Sequence, residues 1–100
     1  MARYRIVHWR DIPSLVEAFE GNEVVSLPLS PRFQELIDVV ALREGTSSAE
    51  AYLDGWGQSG ELERPGPPQD VAAEVAADLE AEFPALLARR LPPPAAPAGQ

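Results

Sequence analysis

Residues 14–20 and 23–29 are two apolar stretches separated only by Gly21-Asn22, a spacing that fits a β-hairpin. Glycine supplies the positive φ that the favoured two-residue hairpin turns require. Closing the chain there predicts Phe19 opposite Val24, Ala18 opposite Val25 and Val16 opposite Leu27. Side chains alternate along a strand, so Val16, Ala18, Val25 and Leu27 share one face. Leu15, Phe19 and Val24 share the other. Both faces are partly apolar, so the second is either covered by another element or exposed.

The elements around this hairpin follow from local chemistry. Residues 4–10 are β-branched and aromatic and read as a strand, which Pro13 is expected to end. Ser30-Pro31 opens a helix as N-cap and first helical residue. Phe33, Leu36, Ile37 and Val40 form its apolar stripe, and Gly45 stops it. Ser47-x-x-Glu50 is a capping box for a short helix through Tyr52 and Leu53. Gly55, Gly57 and Gly60 break that helix around Trp56, and residues 61–64 read as a short edge strand. Pro67-Pro68-Gln69-Asp70 opens the longest helix. Its Val71, Val75, Leu79 and Phe83, with Ala72 and Ala76, predict a face packed on the sheet. Pro84 should end or kink it, with a further turn of helix from Ala85 to Leu91. Residues 3–91 thus read as one α+β domain. A three- to four-stranded antiparallel sheet would pack against two or three helices. The proline- and alanine-rich stretch 92–100 reads as a disordered tail.

Composition narrows the chemistry. Cysteine is absent, which removes disulfides, thiolate metal sites and cysteine nucleophiles from the reading. There is one histidine, so no histidine pair can hold a metal. Basic residues number eight, all arginine, and the net charge is −8, which disfavours nucleic acid and anionic membranes. No phosphate-binding glycine motif occurs. The first ten residues mix charges with apolar groups, unlike a secretory signal, so a cytoplasmic location is expected. Neither a cofactor nor a metal is expected.

Three groups of residues carry possible function. The densest is His8-Trp9-Arg10-Asp11. Along the strand, neighbours point to opposite faces, so His8 and Arg10 share one side while Trp9 lies on the other. Asp11 would then cap the turn before Pro13. The leading reading of His8 is structural, followed by a binding contact. Catalysis would need His8 and Asp11 to converge with a serine or arginine in a pocket. Arg10 suits a carboxylate, on this chain or on a partner. The second group is the ladder Asp70, Glu74, Asp78 and Glu82, with Glu80 close by. Like charges at i, i+4 destabilise a helix by about 0.2–0.5 kcal/mol per pair, and the helix has no cation of its own before Arg89 and Arg90. It is either a solvated face or a docking stripe for a basic partner. The third is Trp56 among glycines, a plug for the core or a contact residue.

The strings His8-Trp9-Arg10-Asp11-Ile12-Pro13, Arg32-Phe33-Gln34-Glu35-x-Ile37-Asp38 and Ala51-Tyr52-Leu53 resemble a small bacterial family, the virulence factor domain. That family is similar to the C-terminal region of conserved virulence factor C. The resemblance runs from about Arg3 to Phe83 and takes in Trp9, Arg10, Asp11, Pro13, Phe33, Asp38 and Tyr52. His8 stands where an aromatic residue is usual, and Leu36 where alanine is commoner. The family carries no established activity. In larger members the domain accompanies a module like the N-terminal domain of Nfu-type iron–sulfur scaffolds, which implies an accessory role. Stand-alone members lie beside genes for folate- and corrinoid-dependent methyl transfer.

The expectation is therefore a non-catalytic accessory or adaptor domain acting by protein–protein interaction, as a monomer or homodimer. A pair of copies would join through Leu15, Phe19 and Val24. Its partner-binding residues would be Trp9, Arg10, Asp11, Trp56, Asp70, Glu74, Asp78 and Glu82, and its partner a protein with a basic surface. The alternatives are a small accessory subunit in one-carbon methyl transfer, implied by the resemblance, and a small enzyme using His8 and Asp11.

Overall fold

The computed structural model describes residues 1–45 and 48–91. The expected hairpin forms in the expected register. β2 (Ile12–Glu20) and β3 (Glu23–Pro28) run antiparallel, with Phe19 opposite Val24, Ala18 opposite Val25 and Val16 opposite Leu27. Gly21 turns the chain at φ 60°, where a β-carbon would be strained.

A second hairpin precedes it. β1 (Ala2–Trp9) pairs with β2 from Arg3–Phe19 to Trp9–Ile12, and the chain reverses over Arg10 and Asp11. Arg10 therefore lies off the strand, at φ 52°, and does not share a strand face with His8 as expected. Nor does Pro13 end the first strand: it lies inside β2, opposite His8. The register slips between Val7 and His8, so Pro13 sits beside an irregularity where the ladder is already interrupted and its missing N–H does little harm.

The outer edge of β1 receives two short strands in tandem. β4 (Trp56–Gln58) pairs with Val7–Trp9, and β5 (Leu62–Arg64) pairs with Ala2–Tyr4. The sheet is five-stranded, in the order β3-β2-β1-β4 with β5 also on β1, slightly larger than expected. The expected edge strand is β5. β4 replaces what reads in sequence as a glycine loop.

Four helices complete the described residues: α1 (Pro31–Arg43), α2 (Ala49–Asp54), α3 (Pro68–Ala81) and α4 (Phe83–Arg90). The count exceeds expectation because Pro84 falls in the first turn of α4, where no intrahelical N–H is needed, so a helix restarts there. Ser47, expected to cap the short helix, lies outside the described residues, as does the tail 92–100. The N-cap of α2 is Ser48, whose hydroxyl accepts from the Ala51 N–H at 3.3 Å.

α3 lies across the sheet. Its buried Val71, Ala72, Val75 and Ala76 join Val16 and Ala18 of β2 in one core, lined by Ile6, Val25 and Leu27. The α1 stripe of Phe33, Leu36, Ile37 and Val40 is buried as predicted, and Phe33 meets Phe83 edge-on at 4.8 Å. The opposite sheet face stays partly open. Leu15 and Phe19 are half-buried and Val24 is 64% exposed. Arg5 pairs with Glu17 there at 2.9 Å and lies 5.5 Å over the Phe19 ring.

Candidate functional site

The Trp-Arg-Asp-Ile-Pro string forms the tip of the β1–β2 hairpin, and the rest of the chain closes around it. Trp9 and Ile12 are in register and wholly buried. The Trp9 indole N–H donates to the Tyr52 carbonyl at 2.7 Å, and the two rings stack 5.9 Å apart. The Arg10 N–H donates to the Gly55 carbonyl at 2.7 Å, fastening the turn to the end of α2. The side chain of Arg10 then covers the Trp9 ring, 5.0 Å from its centre, and pairs with Glu44 just beyond α1.

That pair opens a charge network. Glu44 also binds Arg90 at 2.9 Å, and Asp11 faces Arg90 at 3.5 Å and Arg89 at 3.6 Å. The hairpin tip is thus joined to the end of α1 and the last turn of α4. The carboxylate that Arg10 suits is on this chain. Among the described residues Asp11 makes no capping hydrogen bond to the turn, and it bridges two arginines from α4. Exposed pairs of this kind contribute about 0–1 kcal/mol each, so the network orients the tip more than it stabilises the fold.

Trp56 lies in a strand and not in a loop, and it packs against the core as the plug reading expects. It is half-buried in β4, in register with Trp9 and edge-on to Tyr52 at 6.0 Å. Trp9, Arg10, Asp11 and Trp56 are therefore brought to one end of the sheet.

The acidic ladder is less free than its sequence implies. Arg64 of β5 reaches across to Asp78 at 3.2 Å and Glu74 at 3.7 Å, so the stripe is compensated from a strand instead of from its own helix. The hydrogen bond from Arg64 to Asp78, with the nearby carboxylates, raises the guanidinium above its ordinary value. Asp70 is exposed in the first turn of α3, where its charge complements the helix dipole. Glu80, one position off the ladder, works as a clasp. Ser30 donates its N–H to Glu80 at 2.6 Å and its hydroxyl at 2.8 Å, and Arg32 adds a hydrogen bond at 2.9 Å. Desolvation pushes the Glu80 carboxyl up, but the bonds from Ser30 and Arg32 outweigh it and hold the group below its usual range. Ser30 occupies the N-cap position as predicted, yet its hydroxyl serves Glu80 and not its own helix.

Beside the hairpin tip, β1 and the α3–α4 corner enclose a cleft of about 670 Å³. That lies within the span of about 300–1,000 Å³ usual for ligand sites. Ile6, Pro13, Leu79 and Leu86 form its apolar part, while His8, Arg10, Asp11, Glu82 and Arg89 bring polar groups to it. His8 stands in the cleft wall. The side chain is half-buried, and Nδ1 is shielded from solvent without a hydrogen-bond partner. Gly57 of β4 gives the imidazole its seat, since a β-carbon there would lie 3.3 Å from Cε1. Ser59, also in the cleft wall, has its hydroxyl committed to backbone: it accepts from the Ile6 N–H at 2.8 Å and donates to the Gly60 carbonyl at 3.0 Å.

Sequence reasoning placed Arg10 and Asp11 together but missed Glu44, Arg89 and Arg90 as their partners. It also separated Glu82 from His8, which the cleft unites. Among the described residues no group of three or more histidine or acidic side chains is placed to hold a metal ion. Among them, too, no helix is long and apolar enough to cross a membrane.

Residues 7–91 match the model of a family described as Virulence factor. The match ends later than the resemblance noted in sequence and includes α4, the helix that supplies both arginines to Asp11. No curated protein and no solved structure matches the chain.

Proposed function

The chain belongs to the Virulence factor family, and we propose that it is a non-catalytic accessory domain that binds another protein through the cleft beside the hairpin tip. The observation that carries this reading is the contrast between the two halves of the site. The signature residues Trp9, Arg10 and Asp11 spend their bonding capacity on Tyr52, Glu44, Arg89 and Arg90. Of the polar side chains that line the cleft beside its apolar walls, Arg10, Asp11 and Arg89 are engaged in this way, while Glu82 has no ion pair or hydrogen bond among the described residues.

Binding accounts for this arrangement better than catalysis does. A histidine relay needs His8 bonded to Asp11 and to a nucleophile. Here Asp11 faces arginines, and the Ser59 hydroxyl is bound to backbone. The same geometry weakens the acidic stripe as a docking surface, since Glu74 and Asp78 already share Arg64. Glu82 is the ladder residue that reaches the cleft.

Ala85 lies exposed in the cleft wall, so Ala85→Trp fills the cleft without touching the core. The wild-type chain, immobilised and exposed to lysate of its native host at low and high salt, should retain a partner that the Ala85→Trp chain loses. Capture of the same proteins by both chains overturns the reading.

A further inference from the structure

The charges around the cleft are unequally free. Arg10 is held by Glu44, and Asp11 stands between Arg89 and Arg90. The Glu82 carboxylate has no ion pair or hydrogen bond among the described residues. His8 Nδ1 also has no hydrogen-bond partner among the described residues, but it is shielded from solvent and out of a ligand's reach. An anionic ligand would have to draw Arg89, 3.6 Å from Asp11 and 62% exposed, away from that carboxylate. It would also approach a molecule of net charge −8. A cation displaces nothing. Glu82, exposed at the cleft, offers it two acceptor oxygens. The field of the whole chain draws the cation in. Ile6, Leu79 and Leu86 then provide an apolar wall for the methylenes that a long basic side chain brings with it.

Resting on the cleft as the recognition surface, we infer that it receives an arginine or lysine side chain of the partner protein. The charged end lies at Glu82, and the stem, with an apolar neighbour, lies against Ile6, Leu79 and Leu86. This gives the basic partner a defined point of entry, in place of diffuse attraction to the acidic helix.

The test titrates the ¹⁵N-labelled full chain with N-acetylated, C-amidated tripeptides carrying arginine, citrulline or glutamate between two leucines, and with n-hexylammonium. The arginine tripeptide should shift the signals of His8, Leu79, Glu82 and Leu86 saturably. The citrulline tripeptide, equal in shape but uncharged, should bind about tenfold more weakly. Glu82→Gln should bring the arginine tripeptide down to the citrulline level while leaving signals away from the cleft in place. Equal binding of the arginine and citrulline tripeptides, or tighter binding of the glutamate one, overturns the inference. Tighter binding of n-hexylammonium than of the arginine tripeptide overturns the assignment to a protein side chain. The two readings fail separately. A partner lost by Ala85→Trp with no discrimination among tripeptides sinks the cation and leaves the cleft. A partner kept by Ala85→Trp removes the cleft as the docking surface whatever the tripeptides do.

Discussion

The indole of Trp9 lies directly against the α-carbon of Gly55: a β-carbon at that position would fall 2.7 Å from Cε2 and 2.9 Å from Cδ1. The conformation of Gly55 is ordinary, at φ −76°, so the requirement for glycine is one of space and not of backbone. The same contact carries the Trp9 N–H to the Tyr52 carbonyl and the Arg10 N–H to the Gly55 carbonyl.

Gly55→Ala should therefore destabilise the fold by about 1–3 kcal/mol, the usual cost of overpacking a closed contact. Gly60→Ala is the control, because no atom lies within 4 Å of a β-carbon there. Urea unfolding of the two variants beside the wild type measures the difference. Equal midpoints for both variants would show that the Trp9 contact yields easily.

The parts of this arrangement that could be read in sequence are those set by neighbours along the chain. Gly21-Asn22 fixes a register because a two-residue turn and side-chain alternation leave one pairing that puts Val16, Ala18, Val25 and Leu27 together. The α1 stripe is legible for the same local reason. The β1–β2 turn is not, because Arg10-Asp11 carries no glycine or asparagine to mark a positive φ, and Arg10 reads as part of the strand that Pro13 is expected to end. β4 is too short for periodicity to register, so Trp56 reads as loop. The candidate site divides the same way. Trp9, Arg10 and Asp11 stand out as a cluster, but Glu44, Arg89 and Arg90 reach them from distant positions. The free appearance of Glu74 and Asp78 fails because their cation, Arg64, comes from another element.

Glu80 makes a pH prediction. Its pKa is lowered on folding, so its contribution to stability is present above the ordinary carboxylate range and is lost as the pH falls through the folded value. Glu80→Gln should lower stability by about 1 kcal/mol at neutral pH, where the charge-assisted bonds from Ser30 and Arg32 are weakened. The gap should close in acid, where the wild-type carboxyl is itself protonated. Denaturation midpoints of the two chains across that pH range supply the measurement. A gap that stays constant with pH would mean that the clasp acts by shape and not by charge.

Arg10 holds a conformation that a non-glycine residue adopts at a cost of roughly 1–2 kcal/mol. Its side chain offsets that cost through the Trp9 ring and Glu44. Arg10→Ala and Arg10→Gly remove the same contacts, but only alanine keeps the strained β-carbon. Glycine gives back part of its advantage through the greater freedom of the unfolded chain. Arg10→Gly should thus be more stable than Arg10→Ala by about 1 kcal/mol, with both below the wild type. Chemical denaturation of the three chains in one buffer decides it. An alanine variant as stable as the glycine variant would mean that the turn relaxes out of the left-handed region once the guanidinium is gone, leaving Glu44 and the Trp9 face as what holds the tip in shape.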